Sequence, residues 1–481
     1  MSLYAYRRAH PDASSEDLAA CLDGNLCRCT GYRPILDAVK DIASAPVATE
    51  KIASEKSVPP AVRSELHLSK GGVTWHRPSS LQSLLKIKEQ HGDAAKLVVG
   101  NTELGVEALL KNAQFQVLVS PALVKELHVF EKHADHLVIG AAVSLTEVQR
   151  QFEHLKETLP KQQTYGIRSV LYQLKWFAGN QIRNVACIGG NIATASPISD
   201  LNPVWMATGS LAVVASASGG QRSVPLRDFF VGYRKTALKP NEVIVSIRMP
   251  LTREGEYVRS YKQARRKEDD IAIVTGCYRV RLDKSGVVQE ASVALGGVAA
   301  QSVLAAQVER ALVGRKFAAQ ETLDAALEAI SKDINLPANA VGGMGAFRNT
   351  LARSFLFKFF QYVVASVDPK SSLVRRDAFE EPERPTTASQ QVYTQLRESL
   401  APVTFPIPHL SGPRHTTGEA QYVDDIPNPP RGLYAHFVLA DKAKAVLKSV
   451  DASAALKMPG VVAFYSASDI PGHNDIAPIF K

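Results

Sequence analysis

The sequence predicts a multidomain α+β protein. Three observations carry that prediction. The chain has 481 residues, which at ~150 residues per domain suggests roughly three domains. The composition, 45% apolar and 21% charged, is that of a globular chain rather than a disordered, fibrous or membrane-embedded one. Strand and helix signals between Val73 and Pro250 alternate irregularly instead of repeating as βαβ units. Other function classes are disfavoured by the same reading. There is no run of ~18 apolar residues, so no membrane span is expected. The opening Met1–Arg8 lacks the apolar stretch of a secretory signal. Five cysteines are too few for a disulfide scaffold and suit a reducing compartment. The formal charge of +9 is spread along the chain. Its cations are not interleaved with aromatics, so no nucleic-acid partner is expected.

Residues 1–43 read as two short helices around a turn. Ser14–Asp17 caps the first, Gly24-Asn25 breaks it, and Pro34 opens the second. Residues 44–65 form a small, charged, proline-containing linker. A helix is expected from Leu81 to Lys88. Strands are expected at Lys96–Gly100, Phe115–Val119 and His136–Gly140. Strands dominate from Tyr257 to about Gly297 and helices from Leu304 to Val364. The aromatic-rich segment Phe347–Phe360 reads as one amphipathic helix whose aromatics pack in a core. Residues 366–406 form a second linker. Residues 407–481 carry new strand signals at Tyr434–Leu439 and Val461–Tyr465. No internal repeat is visible.

Several segments carry chemistry. Cys27-Arg28-Cys29 places two thiols in a glycine-flanked loop before a helix, where both can face one metal centre. A cluster or zinc site needs four ligands, and two uninvolved cysteines remain the plainer reading. The segment Lys96-Leu97-Val98-Val99-Gly100-Asn101-Thr102-Glu103-Leu104 is a strand running into a loop of small and polar residues that can cradle a pyrophosphate. The second loop, Phe177 to Leu201, is dense in Gly, Ala, Ser, Thr and Asn and contains Cys187, Thr194 and Asp200. Two such loops in one domain suggest a nucleotide-sized ligand. Neither a GxGxxG nor a GxxxxGK[ST] pattern occurs, so neither a Rossmann site nor a P-loop is indicated. Lys262–Asp270 concentrates four cations and three anions, which suits either a solvated salt-bridged loop or a loop beside a redox cofactor. Tyr233-Arg234-Lys235 offers a ring and two cations.

Taken together these segments resemble the xanthine dehydrogenases, within the molybdenum hydroxylases. GNLCRCTGYRPIL (24–36) resembles a [2Fe-2S] motif. KLVVGNTEL (96–104) and FAGNQIRNVACIGGNIATASPISDLNP (177–203) resemble the two FAD-binding stretches. GYRKTAL, REGEY, KQARRKEDDIA and GGMGAFRNTLARSF are similar to further landmarks of the flavin domain, and GEAQYVDDIP (418–427) to the opening of the molybdenum-binding part. The resemblance implies a partial helical [2Fe-2S] domain over 1–43, a two-lobed α+β FAD-binding domain over 66–252 and an α+β flavoprotein C-terminal domain over 253–365. It also implies the start of an α/β hammerhead over 407–481, and thus a central fragment of a longer enzyme.

By the same resemblance, Cys27 and Cys29 would be two of four cluster ligands. Lys96 through Leu104, Phe177, Cys187, Thr194, Asp200, Ile244 and Lys262 would contact FAD. Tyr233 and Asp269 would face NAD. Electrons from purine oxidation would pass through iron–sulfur clusters and FAD to NAD, with the hydroxylation site and its molybdopterin elsewhere in the enzyme. Small-molecule substrates, a homodimer, and a cytoplasmic or peroxisomal setting are implied with it. An aldehyde oxidase segment using oxygen, and a non-catalytic truncated product, remain the alternatives.

Overall fold

The computed structural model describes residues 2–27, 30–46, 64–266, 269–380, 394, 397–405 and 407–475. They fall into two compact units, 1–384 and 385–481. Cys29, Lys267, Glu268 and most of the first expected linker lie outside the described residues.

The first unit begins with three helices, α1 (Ser2–Ala9), α2 (Ser15–Ala20) and α3 (Arg33–Ser44), one more than expected. A capping box starts α2. The Ser14 hydroxyl accepts the Asp17 N–H at 3.1 Å, and the Asp17 carboxylate accepts the Ser14 N–H at 3.0 Å. Pro34 sits in the first turn of α3, where its missing N–H costs nothing.

A four-stranded mixed sheet follows, from β1 (Leu66–Lys70), β2 (Val73–Arg77), β3 (Ala95–Leu97) and β4 (Val117–Val119), in the order β1-β2-β4-β3. Strand β4 runs parallel to both β2 and β3. Helices α4 (Leu81–His91) and α5 (Leu104–Lys111) connect them. The Ser80 hydroxyl caps α4 by accepting the Ser83 N–H.

The second lobe is an antiparallel sheet in the order β5-β6-β11-β7-β8. Its strands are β5 (Phe130–Lys132), β6 (His136–Gly140), β7 (Leu211–Ser216), β8 (Gly220–Pro225) and β11 (Val243–Pro250). Between β6 and β7 run helices α6 (Leu145–Thr158), α7 (Tyr165–Lys175), α8 (Asn180–Arg183), α9 (Ile188–Thr194) and α10 (Asn202–Ala207). A hairpin of β9 (Phe230–Gly232) and β10 (Lys235–Thr236) precedes β11. One apolar core, including Trp205, Phe152, Phe229 and Leu137, unites both lobes.

The third sheet, β12 (Glu256–Gln263), β13 (Val274–Leu282), β14 (Val288–Gly296) and β15 (Val303–Leu304), is a meander in sequence order. Cys277 pairs with Ala294 and Tyr278 with Val293. Because side chains alternate faces along a strand, the first pair joins the core of the two lobes. The second joins a separate core with α11 (Ala306–Leu312), α12 (Gln320–Asp333) and α13 (Gly345–Val367). Most aromatics of α13 pack in this core as expected, but Phe347, near its start, is exposed. Phe355 and Phe359 are buried, and Phe359 stacks on Tyr278 with centroids 5.5 Å apart. The chain after α13 does not leave this core at once. Leu373 and Val374 pack against it, and the Arg375 N–H donates to the Gln361 side chain at 2.7 Å.

The second unit holds α14 (Gly412–Thr417) and α15 (Ser453–Leu456). The strands expected at Tyr434–Leu439 and Val461–Tyr465 are not formed. Tyr434, Phe437, Val438 and Tyr465 are exposed there. A β-rich run becomes a strand only when a neighbouring strand supplies its ladder, and no strand occurs among the described residues of this unit.

Candidate functional site

A cavity of about 800 Å³ opens between the first two sheets of the first unit, a size usual for a cofactor pocket. One wall is the chain leaving β3. Lys96 through Leu104 all line it, so the loop sits at the carboxyl end of a parallel strand pair, where α/β sheets bind ligands. A β-carbon on Gly100 would lie 2.0 Å from the Val185 carbonyl oxygen, so only glycine fits that approach. Asn101 has φ +58°, a conformation that asparagine tolerates better than most residues.

The opposite wall comes from the second loop and α9. Phe177, Cys187, Thr194 and Asp200 line the cavity, as do Ala178, Gly189, Gly190, Asn191 and Ser199. The Cys187 sulfur caps α9 by accepting the Gly190 N–H at 3.3 Å, and burial holds its thiol above the usual cysteine range. The Thr194 hydroxyl is turned back on its own helix, donating to the Gly190 carbonyl at 2.9 Å. Gly189 lets α9 pack directly on Ala141, whose β-carbon would be 2.6 Å from an added one. Ile244 lines the floor beside a β-bulge in β11.

Lys262 is not among the lining residues, but it organises one that is. Its ammonium donates to the Asp200 carboxylate and to the Trp176 carbonyl, at 2.7 and 2.8 Å. Burial pushes the Asp200 carboxyl up to about 6, against the pull of Lys262. Its other oxygen, Oδ1, is buried without a hydrogen-bond partner among the described residues. A buried acceptor left open beside a cavity wants a donor from a ligand.

The outer rim contains Asp269, Asp270 and Ile271. Asp269 has φ +60°. Asp270 accepts from the Arg266 backbone and guanidinium, both at 2.8 Å. Of the two residues expected to face NAD, Asp269 lines the cavity. Tyr233 stands exposed at the tip of the β9–β10 hairpin and is not among the lining residues. Its neighbour Arg234, at φ +54°, lines the cavity with its guanidinium engaged by Glu103 and Glu107, which ties α5 to the hairpin.

Some residues that shape the site escaped sequence reasoning. Arg183 donates to the Phe177 and Ala178 carbonyls at 2.8 Å and pairs with Asp23. It thereby joins the second loop to the N-terminal helices, and no spacing rule signals such a link. Cys27 lies in that N-terminal region, its sulfur 3.1 Å from the Thr30 hydroxyl. Cys21, which also precedes the loop, is turned inward to the Leu18 carbonyl. No group of three or more His, Cys, Asp or Glu side chains converges as a metal site among the described residues. Cys29, the other thiol of the expected pair, lies outside those residues. The cavity fits a flavin dinucleotide: glycines permit close backbone approach, and Asp200 keeps an open acceptor.

Comparison with known proteins agrees with this anatomy. Residues 1–40 match the family described as "[2Fe-2S] binding domain". Residues 69–252 match "FAD binding domain in molybdopterin dehydrogenase" and residues 259–363 "CO dehydrogenase flavoprotein C-terminal domain". Residues 417–480 match "Aldehyde oxidase and xanthine dehydrogenase, a/b hammerhead domain". Xanthine dehydrogenase 1 of Arabidopsis thaliana is 39% identical over 550 aligned residues, covering 100% of this chain and 40% of that protein. The xanthine dehydrogenase of Dictyostelium discoideum is 36% identical with the same coverage. The chain thus spans about 40% of the length of these curated relatives. Among solved structures, a carbon monoxide dehydrogenase from Hydrogenophaga pseudoflava superposes with a TM-score of 0.53 at 27% identity, covering 59% of this chain and 93% of that one. Quinoline 2-oxidoreductase from Pseudomonas putida 86 shares the fold, with a TM-score of 0.52. With four family matches in this order and relatives aligned along its whole length, the chain is similar to the xanthine dehydrogenases over about 40% of their length.

Proposed function

We propose that the first unit is the flavin module of a xanthine dehydrogenase, passing electrons derived from purine oxidation to NAD. In this reading residues 66–252 hold FAD and 253–365 complete the module, with 1–43 a partial [2Fe-2S] domain and 407–481 the start of the molybdopterin-binding part. The observation that carries it is the cavity between two small-residue loops with the open carboxylate oxygen of Asp200 at its wall.

When bound, FAD supplies two-electron acceptance and hydride transfer. The chain's own contribution is placement. The loop 96–104 brings backbone donors close, because Gly100 lets it approach Val185. Asp200, held by Lys262, accepts a hydrogen bond from the cofactor. Phe177 and Leu104 supply apolar walls that exclude water. Asp269 at the rim faces an incoming nicotinamide, and Tyr233 on the neighbouring hairpin is near enough in sequence to Arg234 to serve the same entrance. A homodimer in the cytoplasm or peroxisome belongs to the same proposal.

The test is direct. Purified protein is expected to carry one flavin per chain by absorbance and to reduce an artificial acceptor with NADH. Flavin-loaded protein without NADH-dependent dye reduction would remove the NAD assignment. Preference for oxygen over NAD would favour the aldehyde oxidase alternative.

A further inference from the structure

Arg348 is a buried cation far along the chain from either cavity loop. It is 9% exposed, and among the described residues no carboxylate pairs with it. The two terminal nitrogens of its guanidinium donate to backbone carbonyls on two separate segments, while Nε is buried without a hydrogen-bond partner among the described residues. One terminal nitrogen donates to Gly297 at 2.9 Å, the other to Val341 at 2.8 Å and Gly343 at 2.6 Å. A charged group without a counter-ion is costly to bury, so such a position calls for a reason beyond packing.

The reason lies in what Gly297 touches. Its N–H donates to the Pro197 carbonyl at 2.7 Å, within the loop whose Ser196, Ile198, Ser199 and Asp200 line the cavity. Gly297 has φ +80°, and an added β-carbon would lie 2.2 Å from the Ile273 carbonyl oxygen. Ile273 directly follows the rim segment Asp269–Ala272, and its N–H donates to Gln263 at 2.7 Å. One tight turn therefore abuts both the wall that carries Asp200 and the strand end that carries the rim, and Arg348 holds the turn from behind.

We propose that Arg348 is a positioning residue for the cavity. Through Gly297 it sets the 196–200 wall relative to the 269–272 rim, and so the affinity and environment of the flavin. The inference rests on the FAD reading above. Lysine keeps the charge but presents a point donor in place of a fork, and cannot reach both Gly297 and the Val341–Gly343 loop. Asn349 is the matched control. It anchors the same helix start through Leu336, with bonds of 2.9 and 3.1 Å, but is not bonded to Gly297.

The experiment measures FAD dissociation constants and visible circular dichroism of bound flavin for the full chain, Arg348→Lys and Asn349→Ala. The expected result is a ~10-fold weaker FAD complex with an altered flavin spectrum in Arg348→Lys. Asn349→Ala should lower the melting temperature but leave FAD affinity and spectrum unchanged. Unchanged affinity and spectrum in a folded Arg348→Lys overturns the proposal, as does equal weakening in both variants. If Arg348→Lys does not fold, amide hydrogen exchange on the unsubstituted chain decides. Added FAD should slow exchange in 296–298 and 343–348 at least ~3-fold, because coupling is reciprocal; no change overturns the proposal. Failure of the unsubstituted chain to bind FAD at all overturns the parent reading and this one together, and is distinguishable from the other outcomes.

Discussion

Replacing Lys262 by Met leaves the Asp200 carboxylate in a buried pocket without its ammonium partner. The two side chains are 3% and 10% exposed and 2.7 Å apart, so solvent screens little of the loss. With Lys262 present, Asp200 titrates at about 6, already above the usual aspartate range because of burial. A carboxyl raised in the folded state destabilises the fold increasingly as pH rises from its unfolded to its folded value, and the cost is constant above that. In the unsubstituted chain that rise ends near pH 6. In Lys262→Met the folded value climbs further, so the cost keeps growing at ~1.4 kcal/mol per pH unit. Across the two units from pH 6 to pH 8, the variant therefore loses ~3 kcal/mol beyond its loss at pH 5.5, in line with ~3–5 kcal/mol for breaking a buried pair. That corresponds to an extra drop of ~6–12 °C in melting temperature. Flavin-free protein should be melted by circular dichroism at pH 5.5 and pH 8. Equal losses at both pH values would refute the reasoning, because the penalty must vanish once the carboxyl is protonated.

Further outcomes follow from the same geometry. Asp200→Ala should weaken FAD binding by ~1.5–3 kcal/mol, the worth of a charge-assisted hydrogen bond, measured by flavin fluorescence titration. Asp270→Ala should change it far less, since that carboxylate is engaged by Arg266 at the rim. Gly100→Ala should cost ~1–3 kcal/mol of stability by overpacking against Val185, and should lower flavin occupancy in the purified protein. The flavin-loaded chain should oxidise NADH with a dye as acceptor.

Much of this architecture is written locally. His136–Gly140 is a strand over the expected residues, the helix at Leu81 starts behind a Ser80 cap, and the expected helix Phe347–Phe360 lies within α13. The two loops of the cavity were visible as small-residue runs flanking a strand and a helix. What stayed hidden depends on contacts between distant residues. Asp200 finds Lys262, Arg183 finds Asp23, and Arg348 finds Gly297 only after the sheets stack. None of these pairings has a spacing to read. The apolar runs near Tyr434 and Val461 mislead for the converse reason: propensity was present, but no ladder partner is.

The meander from Glu256 to Leu304 is shared property, with Val258, Cys277 and Ala294 turned toward the flavin-side core and Tyr261, Tyr278 and Val293 toward the helical one. No cut in the chain separates these two sets, because they alternate along the same strands. Expressing residues 66–252 by themselves would uncover the apolar flanks of α7 and α10. Expressing 253–380 by itself would leave a sheet with one greasy side in water. Gene dissection at the boundary near residue 252 should therefore yield two aggregating halves, and co-expression of both halves should restore a soluble, flavin-binding pair.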